Sequence, residues 1–329
     1  MPRALVTGAA GFLGSHLTER LLADGWAVRG IDNFDPYYDR ADKERNLAGF
    51  GPAPGFEWVP ADLNQAPLAV LLQDVDCVFH LAARPGVRAS WGEAFADYAR
   101  INVMATQRLL EAVRAHPVRR LVFASSSSVY GEAEGGTEAA TPEEAPCRPI
   151  SPYGVSKLAA EAMVRAYHAA CGVPAVALRY FTVYGPRQRP DMAFHRFLRA
   201  WLTGGTLTVL GDGHQVRDFT FVGDAIAATV AAARDGRDGA VYNIGGGCPA
   251  SLAQVFEILR ELLGPPGRVE HRPVFPGDPR VTCADTRRAR EALGYRPATG
   301  LREGLTRMSD WMRSVLAERP ATGVRDERG

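Results

Sequence analysis

Short apolar or β-branched runs alternate with stretches of helical periodicity along the first 180 residues. In the helical stretches, apolar residues recur at the three- and four-residue spacing of one helix face. This pattern predicts helices at residues 12–24, 95–115 and 153–170. It predicts strands at residues 4–7, 27–31, 56–59, 77–82, 121–125 and 175–179. Because strands and helices alternate, we expect an α/β fold with right-handed crossovers and a doubly wound parallel sheet.

The regular alternation of strand and helix patterns ends after residue 180. Glycine and proline cluster there and break the chain into short segments, at residues 184–190, 204–213, 264–267 and 273–279. We therefore expect a large first domain at residues 1–180 and a smaller α+β lobe, which would bind the substrate, at residues 181–317. A strand at residues 240–244 is expected to return to the main sheet, and residues 318–329 to form a polar tail.

The composition is that of an ordinary globular protein, with 46% hydrophobic and 23% charged residues in a chain of 329. The 38 basic and 37 acidic residues leave a formal net charge of +1, so neither nucleic acid nor a membrane surface is an expected partner. The five cysteines lack the close spacing of metal or redox sites, and no metal is predicted. No secretory leader or membrane-spanning run is recognisable, and we expect a reduced, cytoplasmic location.

Three glycines, Gly8, Gly11 and Gly14, lie between the first predicted strand and the first predicted helix. Glycines at these positions allow a tight turn and bring the helix N-terminus close to a diphosphate. The second strand is followed by Asp32, eighteen residues after Gly14, where a carboxylate can bind both hydroxyls of an adenosine ribose. An acid at that position repels the 2′-phosphate of NADP. The pattern therefore predicts a Rossmann-type domain that prefers NAD.

A tyrosine and a lysine four residues apart, Tyr153 and Lys157, share one face of a predicted helix. Lysine is rare in this chain, because Lys43 and Lys157 are the only lysines among the 38 basic residues. An ammonium beside a phenol lowers the phenol pKa from its usual value of about 10. The phenolate can then take a proton from a sugar hydroxyl while the carbon gives a hydride to nicotinamide. The alternative interpretation is a surface pair on an ordinary helix.

The glycine motif, Asp32, the serine run at 125–128 and the Tyr153–Lys157 pair together resemble the extended short-chain dehydrogenase/reductase superfamily, specifically its nucleotide-sugar epimerases and dehydratases. The resemblance covers nearly the whole chain and implies bound NAD and a homodimer that associates through two long helices. The catalytic residues that it implies are Ser126, Tyr153 and Lys157. The cofactor-binding residues that it implies are Gly8, Gly11, Phe12, Leu13, Gly14, Asp32, Asn33, Asp62, Leu63, Leu81, Ala82, Ala83, Arg84, Asn102, Ser125, Tyr153, Lys157 and Phe181.

The two residues after Ser126 bear on the reaction type. In the 4,6-dehydratases of this superfamily the catalytic Ser or Thr is followed by Asp-Glu, and the UDP-glucuronate decarboxylases resemble that arrangement with Glu at the second position. Here both positions are serine, Ser127 and Ser128. Because neither serine can act as a carboxyl acid or base, the resemblance implies reversible hydride transfer, and hence 4-epimerisation, rather than elimination.

The sugar is predicted from the segments around Arg84, the serine run and residues 181–192, which look most like the UDP-glucuronate 4-epimerases. The resemblance implies that Arg189 holds the substrate carboxylate, and Thr182 stands where many galactose-type epimerases carry Asn. A guanidinium clamp suits this role, because a 4-keto-glucuronate is a β-keto acid that decarboxylates when its carboxylate rotates freely. The implied substrate-binding residues are Arg88, Ser126, Ser127, Ser128, Tyr153, Thr182, Arg189, Arg217 and Asp278.

Several alternatives stay open at this point. Arg189 is one of many arginines and could face solvent or phosphate. The substrate could be UDP-glucose or UDP-N-acetylglucosamine, since the core chemistry is the same and only pocket residues differ. A decarboxylase or dehydratase is a further alternative, and so is a regulator that binds NAD without turnover. Two histidines, His16 and His80, are expected to serve packing rather than catalysis.

Overall fold

A seven-stranded parallel sheet lies at the centre of the computed structural model, which describes residues 1–132, 140–275 and 277–318. Its strand order, β11-β6-β5-β4-β1-β2-β3, is that of a doubly wound Rossmann-type sheet. The strands of the structure are β1 (Arg3–Thr7), β2 (Ala27–Asp32), β3 (Phe56–Pro60), β4 (Cys77–His80), β5 (Arg120–Ser126), β6 (Ala175–Tyr180), β7 (Val183–Tyr184), β8 (Leu207–Leu210), β9 (Val216–Asp218), β10 (Thr220–Phe221), β11 (Val241–Ile244), β12 (Pro249–Ser251), β13 (Val269–Arg272) and β14 (Val281–Thr282). The predicted fold class and the six predicted strands are confirmed.

The helices cover both faces of this sheet and the second half of the chain. They are α1 (Phe12–Ala23), α2 (Arg40–Ala48), α3 (Leu68–Leu71), α4 (Phe95–Tyr98), α5 (Ala105–Ala115), α6 (Pro152–Cys171), α7 (Ala193–Thr203), α8 (Val222–Asp235), α9 (Leu252–Leu263), α10 (Arg287–Leu293) and α11 (Leu301–Glu318). The continuous helix predicted at 95–115 is wrong in one respect, because a π-helical turn at Ala99–Met104 separates α4 from α5. Asn102 lies in this wider turn, where its side chain bonds the backbone N–H and carbonyl of Arg84.

The core is divided by the sheet into two layers. Neighbouring strand residues point to opposite faces. In β1, Val6 packs with the cluster that includes α1 and α8, whereas Leu5 packs with the cluster that includes α5 and α6. In β5, Val122 and Phe123 divide in the same way. Both faces of the parallel sheet are therefore covered by apolar side chains, which leaves its carboxyl edge as the exposed place for chemistry.

The chain after β6 builds smaller sheets against this edge. Strands β7 and β10 pair in parallel, β8 pairs with β13, and β9 pairs with β12 and β14. Strand β11 pairs in parallel with β6, so this segment joins the main sheet. The division into domains at 1–180 and 181–317 stays a proposal, and α8 also packs on the main sheet. Of the predicted tail at 318–329, Glu318 ends α11 and the rest lies outside the described residues.

The part of the chain that the structure describes lacks two kinds of feature. Within it, no helix combines the length and apolar character needed to span a bilayer. Across the same residues, no group of three or more His, Cys, Asp or Glu side chains is placed to hold a metal ion.

Candidate active site

A cavity of about 460 Å³ runs along the carboxyl ends of the central strands. Predicted cofactor residues that line it are Gly8, Gly11, Phe12, Leu13, Gly14, Asp32, Asn33, Asp62, Leu63, Leu81, Ala82, Ala83, Arg84, Ser125, Tyr153 and Lys157. Predicted substrate residues that line it are Ser126, Ser127, Ser128, Tyr153, Thr182, Arg189, Arg217 and Asp278. Arg88 lies on an adjoining cavity of about 820 Å³, which shares Thr182, Arg189 and Asp278 with the first. Residues distant in sequence thus meet at one edge of the sheet.

Two predicted cofactor residues do not line either cavity. Asn102 is buried behind the lining, where it ties the loop after β4 to Ser156 of α6. Phe181 is 1% exposed and packs against Tyr130, with ring centroids 6.1 Å apart. In this structure both residues support the walls of the cavity rather than facing it.

The glycine loop packs too closely against neighbouring backbone to admit side chains at two of its positions. A Cβ on Gly14 would lie 2.0 Å from the carbonyl oxygen of Gly8, and one on Gly8 would lie 2.9 Å from the backbone of Ala82. Gly8 also has a φ of +73°, a left-handed conformation that favours glycine. Helix α1 begins directly after the loop, and its N-cap Gly11 offers no side chain to the free N–H groups. The residues present therefore suit a diphosphate held against a helix N-terminus.

The far end of the cavity is anionic but partly neutralised. The Asp32 carboxylate accepts a hydrogen bond from the N–H of Phe34 at 2.8 Å and lies 3.4 Å from the Lys43 ammonium. Both Asp32 and Lys43 are buried, and Lys43 lines the cavity. Sequence reasoning did not place Lys43 in the site, although its rarity in the composition was the available signal. Asp62 accepts hydrogen bonds from Asn33 and Arg100 nearby.

A buried histidine holds the loop after β4 in place. The Thr7 hydroxyl accepts hydrogen bonds from the N–H groups of Leu81 and Ala82, and it bonds His80 Nδ1 at 2.8 Å. His80 Nε2 bonds the Thr106 hydroxyl at 3.0 Å. Burial, with a smaller contribution from the charge of Lys157, lowers the pKa of His80 to about 3. His80 is thus a neutral core residue, as expected.

The predicted catalytic side chains lie together at the start of α6 and the end of β5. Helix α6 begins with the Ser151 hydroxyl accepting a hydrogen bond from the N–H of Gly154, which places Tyr153 in its first turn. Lys157 follows one turn later, and its ammonium lies 4.5 Å from the centre of the Phe123 ring. Ser126 ends β5 and forms a hydrogen bond with the Tyr153 phenol.

Burial dominates the electrostatics of this group. Burial lowers the pKa of Lys157 to about 7, while the charge of Glu161 opposes the shift. Burial raises the pKa of the Tyr153 phenol, and its hydrogen bond with Ser126 and the charge of Arg189 act in the opposite direction. Desolvation therefore dominates the pKa of the Tyr153 phenol in this structure, and the lowering of that pKa by Lys157 stays a prediction.

A buried ion pair supports the catalytic helix from behind. Glu161, one turn after Lys157, accepts two hydrogen bonds from Arg179 of β6 at 2.5 and 3.0 Å. It also accepts one from the Ser125 hydroxyl at 2.6 Å. Arg179 in turn donates to the phenol oxygen of Tyr130 at 2.7 Å. This network joins α6, β5 and β6 directly beneath the reacting groups.

The sugar end of the cavity contains the predicted carboxylate clamp. The Arg189 side chain is 20% exposed and lines both cavities, so the alternative of a solvent-facing arginine does not hold. Its Nε and Nη2 donate to the two oxygens of Asp191 at 3.0 and 3.1 Å. The phenol of Tyr37 donates to Asp191 at 3.3 Å. Sequence reasoning missed Asp191 and Tyr37 as site residues, although Asp191 lies only two positions from the predicted clamp.

A second carboxylate joins the other substrate-side arginines. Asp278 accepts a hydrogen bond from Arg217 at 3.0 Å through one oxygen and from Arg88 at 3.1 Å through the other. Three of the implied substrate-binding residues are thus brought together. They form an arginine-rich end of the cavity, opposite the glycine loop.

The chain is similar to known proteins over most of its length. The model of the NAD dependent epimerase/dehydratase family matches residues 4–245. A Bacillus subtilis protein described as an uncharacterized UDP-glucose epimerase is 44% identical over 315 residues, covering 95% of this chain and 98% of that protein. A UDP-glucuronate 4-epimerase from Thermodesulfobacterium geofontis is 36% identical, covering 93% and 95%.

The solved structures agree with the sequence relatives. The crystal structure of UDP-glucuronic acid 4-epimerase from Bacillus cereus, in complex with UDP-glucuronic acid and NAD, superposes with a TM-score of 0.92 at 42% identity. The alignment covers 95% of this chain and 99% of that one. With the family model matching well over half of the sequence, the chain belongs to the NAD-dependent epimerase/dehydratase family.

Proposed function

We propose that this protein is an NAD-dependent 4-epimerase of a UDP-sugar that interconverts UDP-glucuronate and UDP-galacturonate through a transient 4-keto sugar. One observation carries the proposal: Tyr153, Lys157 and Arg189 line a single cavity in which Ser127 and Ser128 follow the catalytic Ser126. Further support comes from relatives named as UDP-glucuronate 4-epimerases over nearly the whole chain.

The cofactor residues fit NAD by shape and charge. NAD, when bound, accepts the hydride from carbon 4 of the sugar and returns it to the other face. The glycine loop and the N-terminus of α1 would hold its diphosphate, because the N-cap Gly11 leaves the first N–H groups of the helix without a side-chain partner. Asp32 would accept hydrogen bonds from the adenosine ribose hydroxyls and repel a 2′-phosphate.

Tyr153 acts as the base and then as the acid. Its phenolate takes the proton of the 4-hydroxyl. The phenol returns the proton after the keto sugar has rotated to present its other face to the nicotinamide. Ser126, hydrogen-bonded to the phenol, shares the proton path. Lys157, when protonated, supplies a positive charge one helical turn away that favours the phenolate. With a pKa of about 7, Lys157 is partly charged near neutral pH.

The residues around the sugar favour epimerisation over bond cleavage. Arg189 binds the C6 carboxylate and restricts its rotation out of the plane of the ketone, the rotation that releases carbon dioxide. Ser127 and Ser128 offer hydroxyls but no carboxyl group, so the cavity lacks the acid and base that elimination of water across carbons 5 and 6 requires at these positions.

The test is proton NMR of the purified protein with UDP-glucuronate and no added NAD. A new anomeric signal of UDP-galacturonate is expected, without loss of carbon dioxide. Tyr153→Phe should lose at least ~10²-fold in turnover, since it cannot exchange the proton. Tyr167→Phe is the matched control, because this tyrosine lies on the same helix and bonds Glu111 away from the cavity. Near-normal turnover by Tyr153→Phe with an intact NAD content would refute the assignment of Tyr153 as the base.

A second candidate substrate class is a neutral UDP-hexose. The ion pair between Arg189 and Asp191 favours it, because the clamp already has a carboxylate partner. One relative described as a UDP-glucose epimerase is 44% identical. Turnover of UDP-glucose or UDP-N-acetylglucosamine, with none of UDP-glucuronate, would select this candidate and keep the Tyr153 mechanism.

We also propose a homodimer in a reducing, cytoplasmic compartment. Large apolar side chains are exposed along the α4–α5 segment and the start of α6, with Met104 58% and Val155 46% exposed. These two segments pack side by side, and we infer that they carry the dimer contact together. Light scattering should give a dimer, and Met104→Glu should shift it towards the monomer. Val70→Glu, at an equally exposed position on α3, should leave it unchanged.

A further inference from the structure

We propose that Asp191, held by Tyr37, is a positioning residue that fixes the plane of the Arg189 guanidinium and so suppresses decarboxylation of the keto sugar. The inference rests on the proposed function, since it concerns how the clamp treats a uronate. Arg189 and Asp191 make a side-on pair in which Nε and Nη2 each meet a separate carboxylate oxygen. A two-point contact of this kind sets orientation as well as distance.

The Tyr37–Asp191 pair connects the clamp to the cofactor-binding half of the chain. Tyr37 lies in the loop between β2 and α2, 154 residues before Asp191, and its phenol donates to the carboxylate at 3.3 Å. The loop is itself held, because the N–H of Tyr37 donates to Asp35 and the Arg84 guanidinium lies 5.4 Å from the ring centre. The phenol reaches Asp191 past Gly86, where a Cβ would lie only 2.2 Å from its oxygen.

The segment carrying Arg189 is attached on its other side as well. His16 of α1 donates through Nε2 to the carbonyl of Pro186 at 3.0 Å. Arg187, with a φ of +64°, pairs with Glu19 of the same helix at 2.7 Å. Contacts from the cofactor half therefore lie before and after Arg189. The position of the clamp relative to the cofactor loop is set by tertiary contacts on both sides.

The charge balance shows what the Tyr37–Asp191 pair contributes. A guanidinium that already faces a carboxylate has little net charge to attract another anion, so Asp191 does not raise affinity for a uronate. Arg189 has five N–H donors, and two of them go to Asp191. The others can meet the substrate carboxylate in a plane that Asp191 has fixed. Orientation, rather than attraction, is the property that Asp191 supplies.

The side reaction that this orientation prevents is chemically defined. In the 4-keto uronate, the C5–C6 bond breaks when it aligns with the ketone π system. Its electron pair forms the enolate at C5 and O4, carbon dioxide leaves, and the enolate takes up a proton to give a 4-keto pentose. Return of the hydride to C4 then gives a UDP-pentose in place of a UDP-hexuronate. A clamp free to rotate permits that alignment, and a fixed one restricts it.

The test compares the wild type with Asp191→Asn, which keeps size and hydrogen bonding to Tyr37 but not the charged fork. With UDP-glucuronate, NMR should show the fraction of UDP-pentose rising at least tenfold and kcat for epimerisation falling at least fivefold. KM should stay unchanged or fall, because the net positive charge increases. Asp310→Asn, which breaks an exposed aspartate–arginine pair on α11, is the matched control and should change none of these.

Tyr37→Phe provides a second variant, because it keeps the ring and removes only the hydroxyl group that donates to Asp191. It should raise the UDP-pentose fraction at least threefold, with the content of bound NAD and the thermal stability unchanged. If Asp191→Asn fails to fold, this variant alone tests whether Asp191 orients Arg189. An unchanged product fraction in a folded variant, with active wild type, overturns this inference alone. A wild type inactive on UDP-glucuronate overturns the uronate assignment and this inference together, so the two failures are distinguishable.

Discussion

Replacing Glu161 by glutamine removes one charge from an ion pair that lies behind the catalytic side chains. The side chains of Arg179 and Glu161 are only 3% and 1% exposed, so water cannot solvate the charge that remains. Glu161 accepts three hydrogen bonds, two from Arg179 and one from Ser125. A glutamine amide offers a single acceptor oxygen. Its NH₂ group would replace the second carboxylate oxygen and face N–H or O–H donors of Arg179 or Ser125, with which it cannot form a hydrogen bond as acceptor.

The expected cost follows from this burial. Breaking a buried pair by removing one partner destabilises a protein by about 3–5 kcal/mol. For a chain of 329 residues, an unfolding entropy of about 2.1 cal/mol/K per residue amounts to about 0.7 kcal/mol/K. Glu161→Gln should therefore lower Tm by roughly 4–7 °C. An exposed pair would be worth about 0.2–1 kcal/mol, or roughly 0.3–1.4 °C.

Differential scanning calorimetry at one scan rate measures this difference. Glu44→Gln is the control, because its pair with Arg40 is more than half exposed on both sides. The double variant Glu161→Leu with Arg179→Met should recover part of the loss, since it buries no unpaired charge. A Tm for Glu161→Gln within 1 °C of the control would refute the claim that the pair is desolvated and structurally required.

Two further predictions concern the cofactor loop. Gly14→Ala should abolish copurification of NAD, because the new Cβ would lie 2.0 Å from the Gly8 carbonyl oxygen. The control Gly300→Ala, whose Cβ would lie in open space, should retain NAD. Equal NAD content in the two variants would contradict the close packing of Gly14 against Gly8. His80 has a pKa lowered to about 3 when folded, so its contribution is lost as pH falls below 6.5, costing about 2 kcal/mol by pH 5. Urea unfolding should show this slope flattened in His80→Gln but kept in the exposed-site variant His271→Gln, and an equal slope in both would count against it.

Local features of the site were predictable from the sequence. The glycine loop depends on backbone conformation within a few residues, and the Tyr153–Lys157 spacing depends on helix geometry alone. The strands were predictable because buried parallel strands require apolar runs. The π-helical turn at Ala99–Met104 was not, since the pattern of apolar residues continues through it.

What tertiary structure decided is the environment of each charge. Burial between β5 and α6 lowers the pKa of Lys157 to about 7, and no spacing rule carries information on that burial. Likewise, Asp191 is two residues from Arg189, but Tyr37 reaches it from 154 residues away. The sequence alone thus determined which chemical groups are present and which secondary structure carries them. Their ionisation and orientation depend on long-range packing, because desolvation and hydrogen-bond partners arise only when distant segments meet.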